Sequence, residues 1–194
     1  TLAALAPVKI GERVATVKII PFAVPAEMVA RCLESAAKAR MSIRPFRPLT
    51  ARLVQSRHEG LKPSVVEKTS TVTAERMKHI GGTLAGESRT SHTTDGVADA
   101  MAAELAARPD VLLVIGASAI VDRRDVIPSA IERLGGRVER LGMPVEPGNL
   151  ILVGEVDGTP VLGLPGCARS PARNGLDWVL ERIAAGVPVG RADI

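Results

Sequence analysis

From residue 50 onward the chain alternates strand-like and helix-like stretches. This alternation predicts an α/β fold, a three-layer α/β/α sandwich around a mostly parallel sheet, preceded by a small α+β N-terminal segment. Two further observations support it. VLLVIG, residues 111–116, is apolar throughout, as a strand of a parallel sheet covered on both faces should be. LILVGEVDG and TPVLGLPG, residues 150–166, read as a hairpin that runs directly into the helical stretch CARSPARNGLDWVL.

The elements follow in order. Residues 7–21, PVKIGERVATVKIIP, alternate apolar and polar about a Gly-Glu turn and predict a β-hairpin or short strand pair. Pro25 opens a predicted helix, AEMVARCLESAAKAR, with Met28, Val29, Cys32 and Leu33 on one face. The proline-punctuated Arg44–Pro48 marks a module boundary. Residues 1–48 are therefore a small strand–helix segment, open to being the end of a preceding module, and residues 49–194 are the α/β domain.

Within that domain TARLVQS is a first strand. TVTAERMKHIGG is a helix with Val72, Met77 and Ile80 inward, stopped by Gly81-Gly82. TLAGESRTSH is a second, more polar strand, and TDGVADAMAAELAAR a helix with Val97, Met101 and Leu105 at four-residue spacing. After VLLVIG come the loop ASAIVDRRD, the helix VIPSAIERLGG, a strand, a proline-glycine turn and the hairpin. Ser170 and Pro171 fit the N-cap and first position of the last helix.

Composition narrows the function classes. Of 194 residues, 46% are hydrophobic, enough for a sizeable core. No apolar run approaches the ~18–20 residues of a membrane span. Residues 1–25 carry charges and prolines where a secretory leader needs an apolar stretch. The two cysteines, Cys32 and Cys167, are too few for a disulfide framework and point to a reducing cytoplasm. The first residue is Thr1 rather than Met, which suggests a piece of a longer protein or a processed one. The formal charge of +4 suits an anionic small molecule, whereas 2% aromatic content offers few platforms for stacking nucleic-acid bases. Neither nucleic acid nor a membrane is expected as a partner.

Two loops carry the candidate chemistry, both at carboxyl ends of predicted strands, where open α/β sheets bind ligands. In the first, Gly116, Ala117 and Ser118 are small enough to let backbone approach a phosphate or flat ring. Asp122 and Asp125, three residues apart, are spaced to share one Mg²⁺, while Arg123 and Arg124 offer charge for phosphate. The plainer alternative is a solvated loop in which Asp125 caps the next helix. In the second, Pro165 and Gly166 form a tight turn that would free the N–H groups of Gly166 to Ala168 for an anion beside Arg169. An ordinary strand-to-helix connection is the alternative. Cys167 at a helix start beside Arg169 would favour a thiolate, but no histidine lies at metal-ligand spacing from it, and a small loop residue is the simpler reading. Dinucleotide-binding, P-loop and GxSxG fingerprints are absent.

Asp110–Trp178 resembles the molybdopterin-binding domain of molybdenum-cofactor biosynthesis, the family of molybdopterin adenylyltransferases and molybdenum-insertion proteins. LLVIGASAIVDRRDVIPSAIERLGG resembles its strand, Gly-Gly-Thr-Gly loop and following Asp. LGMPVEPGNLILVGEVDGTPVLGLPG resembles its Pro-Gly-Lys turn and hairpin, and LPGCARSP its Leu-Pro-Gly turn into the last helix. VVEKTSTVTAERM is a weaker match to the motif with the other acidic residue. The resemblance spans residues 50–185.

The resemblance implies a sandwich that binds the dithiolene pterin and its phosphate at the strand ends. Catalytic members use ATP and Mg²⁺ to adenylylate the pterin phosphate, or use the adenylylated form to insert molybdate. By position Asp125 matches the catalytic or metal-linked Asp, with Asp122 beside it, and Glu67 falls where another Asp is expected. Gly116, Ser118, Gly166 and Ser170 match ligand-contacting positions. Ala117, Arg123, Arg124, Pro165, Cys167, Ala168 and Arg169 complete the expected binding set.

Three departures weaken catalysis more than binding. The Gly-Gly-Thr-Gly loop is Gly116-Ala117-Ser118-Ala119, the Lys after Pro-Gly is Asn149, and the acidic Gly-Asp-Glu loop is reduced to Arg57-His58-Glu59-Gly60. The resemblance also implies a fused or separate molybdenum-cofactor nucleotidyltransferase as partner and a homo-oligomer, dimer or trimer. The expected function is binding of molybdopterin or its adenylylated or molybdenum-loaded form, with adenylyl transfer or molybdenum insertion left open. A carrier or sensor of the cofactor, and an α/β domain for another phosphorylated metabolite, are the alternatives.

Overall fold

The computed structural model describes residues 2–16, 18, 20–38 and 41–190. The chain divides into two compact units, Thr1–Arg44 and Pro45–Ile194.

Among the described residues of the first unit the one regular element is helix α1, Ala26–Lys38, which buries none of its residues. Met28, Val29 and Leu33 are 52%, 43% and 66% exposed, so the face predicted to point inward is open. The hairpin expected over residues 7–21 does not form among the described residues, which show only a turn near Gly11; residues 17 and 19 lie outside the description. A segment this short has too little apolar area to build a core, so alternation alone does not make strands of it.

The second unit is a six-stranded sheet in the order β2-β1-β3-β6-β5-β4. The strands are β1 Thr50–Arg57, β2 Thr83–Ser91, β3 Val111–Ile115, β4 Arg137–Leu141, β5 Leu152–Val156 and β6 Thr159–Leu164. β2, β1, β3 and β6 pair in parallel, and β5 runs antiparallel to both β6 and β4. The helices are α2 Pro63–His79, α3 Thr94–Leu105, α4 Val126–Arg133 and α5 Gly175–Ala184.

Side chains alternate across the sheet and meet helices on both faces. Leu53, Leu113, Ile115 and Leu162 pack with Met77 and Ile80 at the end of α2 and with Leu176, Val179 and Leu180 of α5. Val54, Leu112, Val114 and Val161 pack with Val97 and Met101 of α3 and with Ile127 and Ile131 of α4. Every residue of β3 is buried, as its apolar run predicts. Gly163 of β6 leaves a vacancy on the second face: a Cβ there would meet Ile120 Cδ1 at 2.6 Å. Ile120, 2% exposed, thus seats the loop after β3 directly on the sheet.

Local chemistry explains two boundaries that differ from expectation. α2 begins at Pro63, eight residues before the predicted start at Thr71. Its Val- and Thr-rich first half is a weak helix former, but Thr69 and Thr71 return their hydroxyls to the carbonyls of Val65 and Glu67 at 2.7 and 3.1 Å. Burial of Val66, Thr69, Val72 and Thr73 then outweighs propensity. At the other end, Ser170 and Pro171 do not start α5. Asn174 caps it, in a capping box with Asp177, because Arg76 of α2 draws the carbonyls of Ser170 and Ala172 to its guanidinium at 2.5 and 3.1 Å. Among the described residues no helix is long and apolar enough to cross a membrane.

Candidate functional site

From β1 the chain crosses to β2 on one side, and from β3 it leaves for β4 on the other. The sheet therefore changes direction between β1 and β3, and the crevice beyond their carboxyl ends is the place such a sheet offers a ligand. The segments around that crevice are the ends of β1 and β2, the loop Gly116–Asp125 after β3 and the turn Pro165–Ser170 after β6. Both predicted loops stand there.

A hydrogen-bonded chain that sequence reading did not identify crosses the crevice. His92, just past β2, donates its N–H to the carbonyl of Arg57 at 3.0 Å, which brings the ring over the end of β1. Its Nδ1 lies 2.8 Å from the hydroxyl of Ser56, 1% exposed on β1, and its Nε2 lies 2.9 Å from the hydroxyl of Ser118. Ser118 was expected at the site; Ser56 and His92 were missed. Burial, reinforced by nearby His58 and opposed by Asp125, holds the His92 imidazole below its ordinary pKa. The folded state then resists a proton that the unfolded chain accepts. Stability should fall as pH drops below about 6.5, level off once the folded imidazole is protonated, and be unaffected at higher pH. Denaturant titrations from pH 5 to 8 check this: His92→Gln should flatten that slope, and an identical slope in both proteins would refute the assignment.

The Gly116–Asp125 loop is held by its own carboxylates. Asp125 Oδ2 accepts the N–H groups of Val121 and Asp122 at 2.7 and 2.9 Å, and Asp122 Oδ1 accepts that of Arg124 at 2.8 Å. Asp125 is the N-cap of α4 by position, yet its side chain turns back into the loop and makes no cap hydrogen bond. One oxygen of each carboxylate is left, and among the described residues no three His, Cys, Asp or Glu side chains are grouped to hold a metal. Any Mg²⁺ held by the two carboxylates would need substrate phosphate oxygens and water to complete its shell. Arg123 reaches the Val138 carbonyl at 3.3 Å, and Arg124 is exposed. At Gly116 a Cβ would lie 2.7 Å from the Ser118 carbonyl oxygen and 3.3 Å from His92 Cε1. Only glycine allows this approach.

In the second loop a 3-10 turn, Gly166–Arg169, follows Pro165. The N–H of Ala168 donates to Pro165 at 2.9 Å, so of the three N–H groups expected to be free this one is occupied. Ala168 is buried, while Gly166 has open space around it. Ser170 accepts the N–H of Ala172 at 3.2 Å and closes the turn. Arg169 reaches back to the first loop, donating from Nη2 to the Gly116 carbonyl at 2.9 Å. Its buried Nε has no partner, and no carboxylate pairs with it among the described residues. Burial pushes its pKa down from the usual arginine value, though an arginine remains a cation at neutral pH. For Cys167 burial raises the thiol pKa, which counts against a thiolate and agrees with the simpler reading of a small loop residue.

Glu67 stands apart from the two aspartates. It lies on α2, ion-paired at 2.6 Å with Arg89 of β2, which holds its carboxyl below the usual range. Beside that pair a cleft of about 580 Å³ opens between the ends of β1 and β2, lined by residues including Arg57, His58, Glu59, Pro63 and Arg89. A concave region thus lies at the β1–β2 end, and the polar loops follow β3 and β6.

No protein-family model matches the chain, and no curated protein does. Among solved structures it is similar to the molybdopterin biosynthesis protein MoeA of Pyrococcus horikosii, with 21% identity and a TM-score of 0.53 over 71% of this chain and 36% of that one. It also matches a molybdenum cofactor biosynthesis protein B, with 14% identity and a TM-score of 0.47 over 70% of this chain and 87% of that one. The chain spans about a third of the length of the Pyrococcus protein. The first likeness establishes the fold: a mostly parallel α/β sheet with helices on both sides, as the sequence predicts.

Proposed function

We propose that residues 45–194 bind molybdopterin, or its adenylylated or molybdenum-loaded form, within molybdenum-cofactor biosynthesis. The ligand's phosphate sits between the Gly116–Asp125 loop and the Pro165–Ser170 turn. The observation that carries this reading is Arg169, a partly buried guanidinium fixed to the Gly116 carbonyl and paired with no carboxylate among the described residues. A cation held between two small-residue loops at strand ends is complementary to a phosphate. The named activity of the similar Pyrococcus protein, molybdopterin biosynthesis, agrees with the resemblance of the loop motifs.

Binding is favoured over adenylyl transfer because Asp122 and Asp125 each commit an oxygen to folding the loop. Calorimetry against molybdopterin, with and without ATP and Mg²⁺, tests both parts. Binding without nucleotide consumption is the expected result. Arg169→Ala should weaken it at least about tenfold, the scale of one hydrogen bond to a charged group. Wild-type protein that fails to bind the pterin would overturn the proposal. Should adenylylated product appear, Asp125→Asn, which keeps an acceptor for the Val121 and Asp122 N–H groups, should abolish turnover and preserve affinity.

A further inference from the structure

We infer that Ser56 and His92 are positioning residues that turn the hydroxyl proton of Ser118 outward, making Ser118 a hydrogen-bond donor to an acceptor oxygen of the ligand rather than a nucleophile. The inference follows from counting hydrogens along the Ser56–His92–Ser118 chain. Ser56 is 1% exposed, and His92 Nδ1, at 2.8 Å, is its one side-chain hydrogen-bond partner among the described residues. A buried hydroxyl that donates to nothing is costly, so Ser56 donates and Nδ1 accepts. A neutral imidazole carries one proton, which this places on Nε2. Nε2 then donates to Ser118 Oγ at 2.9 Å, filling an acceptor position of that hydroxyl. Ser118, exposed at the crevice, directs its own hydrogen away from His92.

The opposite order would make a nucleophile–base–orienter arrangement, with Nδ1–H donating to Ser56 and Nε2 drawing the proton from Ser118. It would leave the Ser56 hydrogen without an acceptor among the described residues. A protonated His92 is disfavoured for the same reason, since Nδ1–H and Ser56 O–H would then compete. The outward hydroxyl stands in the loop whose Gly116 carbonyl anchors Arg169. An oxygen of a phosphate held at that loop is the acceptor this hydroxyl suits. This last step rests on the reading of the loops as the phosphate site; the proton order does not.

Long-range nitrogen–proton NMR of histidine-labelled protein near pH 7.5 reads the order directly. We expect a pyridine-like Nδ1 and a pyrrole-like Nε2 for His92. Ser56→Ala should remove the bias and populate the other tautomer, and Ser56→Thr should restore it, a signature that loss of packing alone would not give. A pyrrole-like Nδ1 in the wild type overturns the inference, as does His92-dependent labelling of Ser118 by a fluorophosphonate. Inorganic pyrophosphate is the ligand probe: Ser118→Ala should bind it roughly tenfold more weakly and Ser118→Thr nearly as well as wild type. Equal affinity of Ser118→Ala and wild type overturns the donor role. If pyrophosphate does not bind the wild type, the phosphate site falls with it, while the NMR result still decides the proton order.

Discussion

Arg76→Ala should destabilise the α/β unit by about 3–5 kcal/mol, the cost of breaking a buried pair from one side. The Arg76 side chain is 6% exposed and its Nη1 sits 2.5 and 2.6 Å from the two oxygens of Asp177, while Nη2 holds the carbonyls of Ser170 and Ala172. Removing it leaves these acceptors facing a void, and Asp177, which also accepts the N–H of Asn174 at 2.7 Å, loses its counter-charge at the start of α5. A drop in Tm of roughly 10 °C is expected in a domain of this size. Arg76→Lys should recover little, because a point charge cannot serve two carbonyls and a carboxylate in one plane. Thermal and urea unfolding of both variants check this; a lysine protein as stable as wild type would show that charge alone suffices.

Gly116→Ala is expected to spare the fold and remove the site. A Cβ 2.7 Å from the Ser118 carbonyl oxygen forces Ala117 and Ser118 outward, since the contact is with backbone and no rotamer relieves it. The displacement costs about 1–3 kcal/mol of stability, as overpacking does. It also disturbs two polar contacts at once, the Ser118–His92 bond and the Gly116 carbonyl that holds Arg169. Affinity for molybdopterin should fall roughly a hundredfold, about what two such bonds contribute. Calorimetry beside a melting curve separates the effects, and unchanged affinity in a folded Gly116→Ala protein would move the ligand away from this loop.

How far these features were legible in the sequence depended on how local their causes are. The buried strand Val111–Ile115 could be read from its apolar run, and the hairpin of β5 and β6 from its two short apolar stretches, because neighbouring residues decide both. His92 could not be read in the same way. It is 36 residues from Ser56 and 26 from Ser118, and the three meet only because β1 lies between β2 and β3. The start of α5 failed for a related reason. Asn174 and Asp177 carry a capping signal at the right spacing, but Ser170-Pro171 carries another. The choice between them is made by Arg76, 101 residues before Asp177. In the N-terminal unit periodicity was present in a segment too short to build its own core, so the helix it predicted buries none of its residues.

Gly163 ties the two loops of the proposed site to a common floor. Because it has no side chain, Ile120 rests on β6 itself, and one residue further on the same strand ends at Leu164, with the second loop beginning at Pro165. Displacement of β6 would therefore carry both walls of the crevice together and keep their spacing. A ligand bound there as proposed would meet a spacing set before it arrives, and its binding energy would not be spent on drawing the loops together.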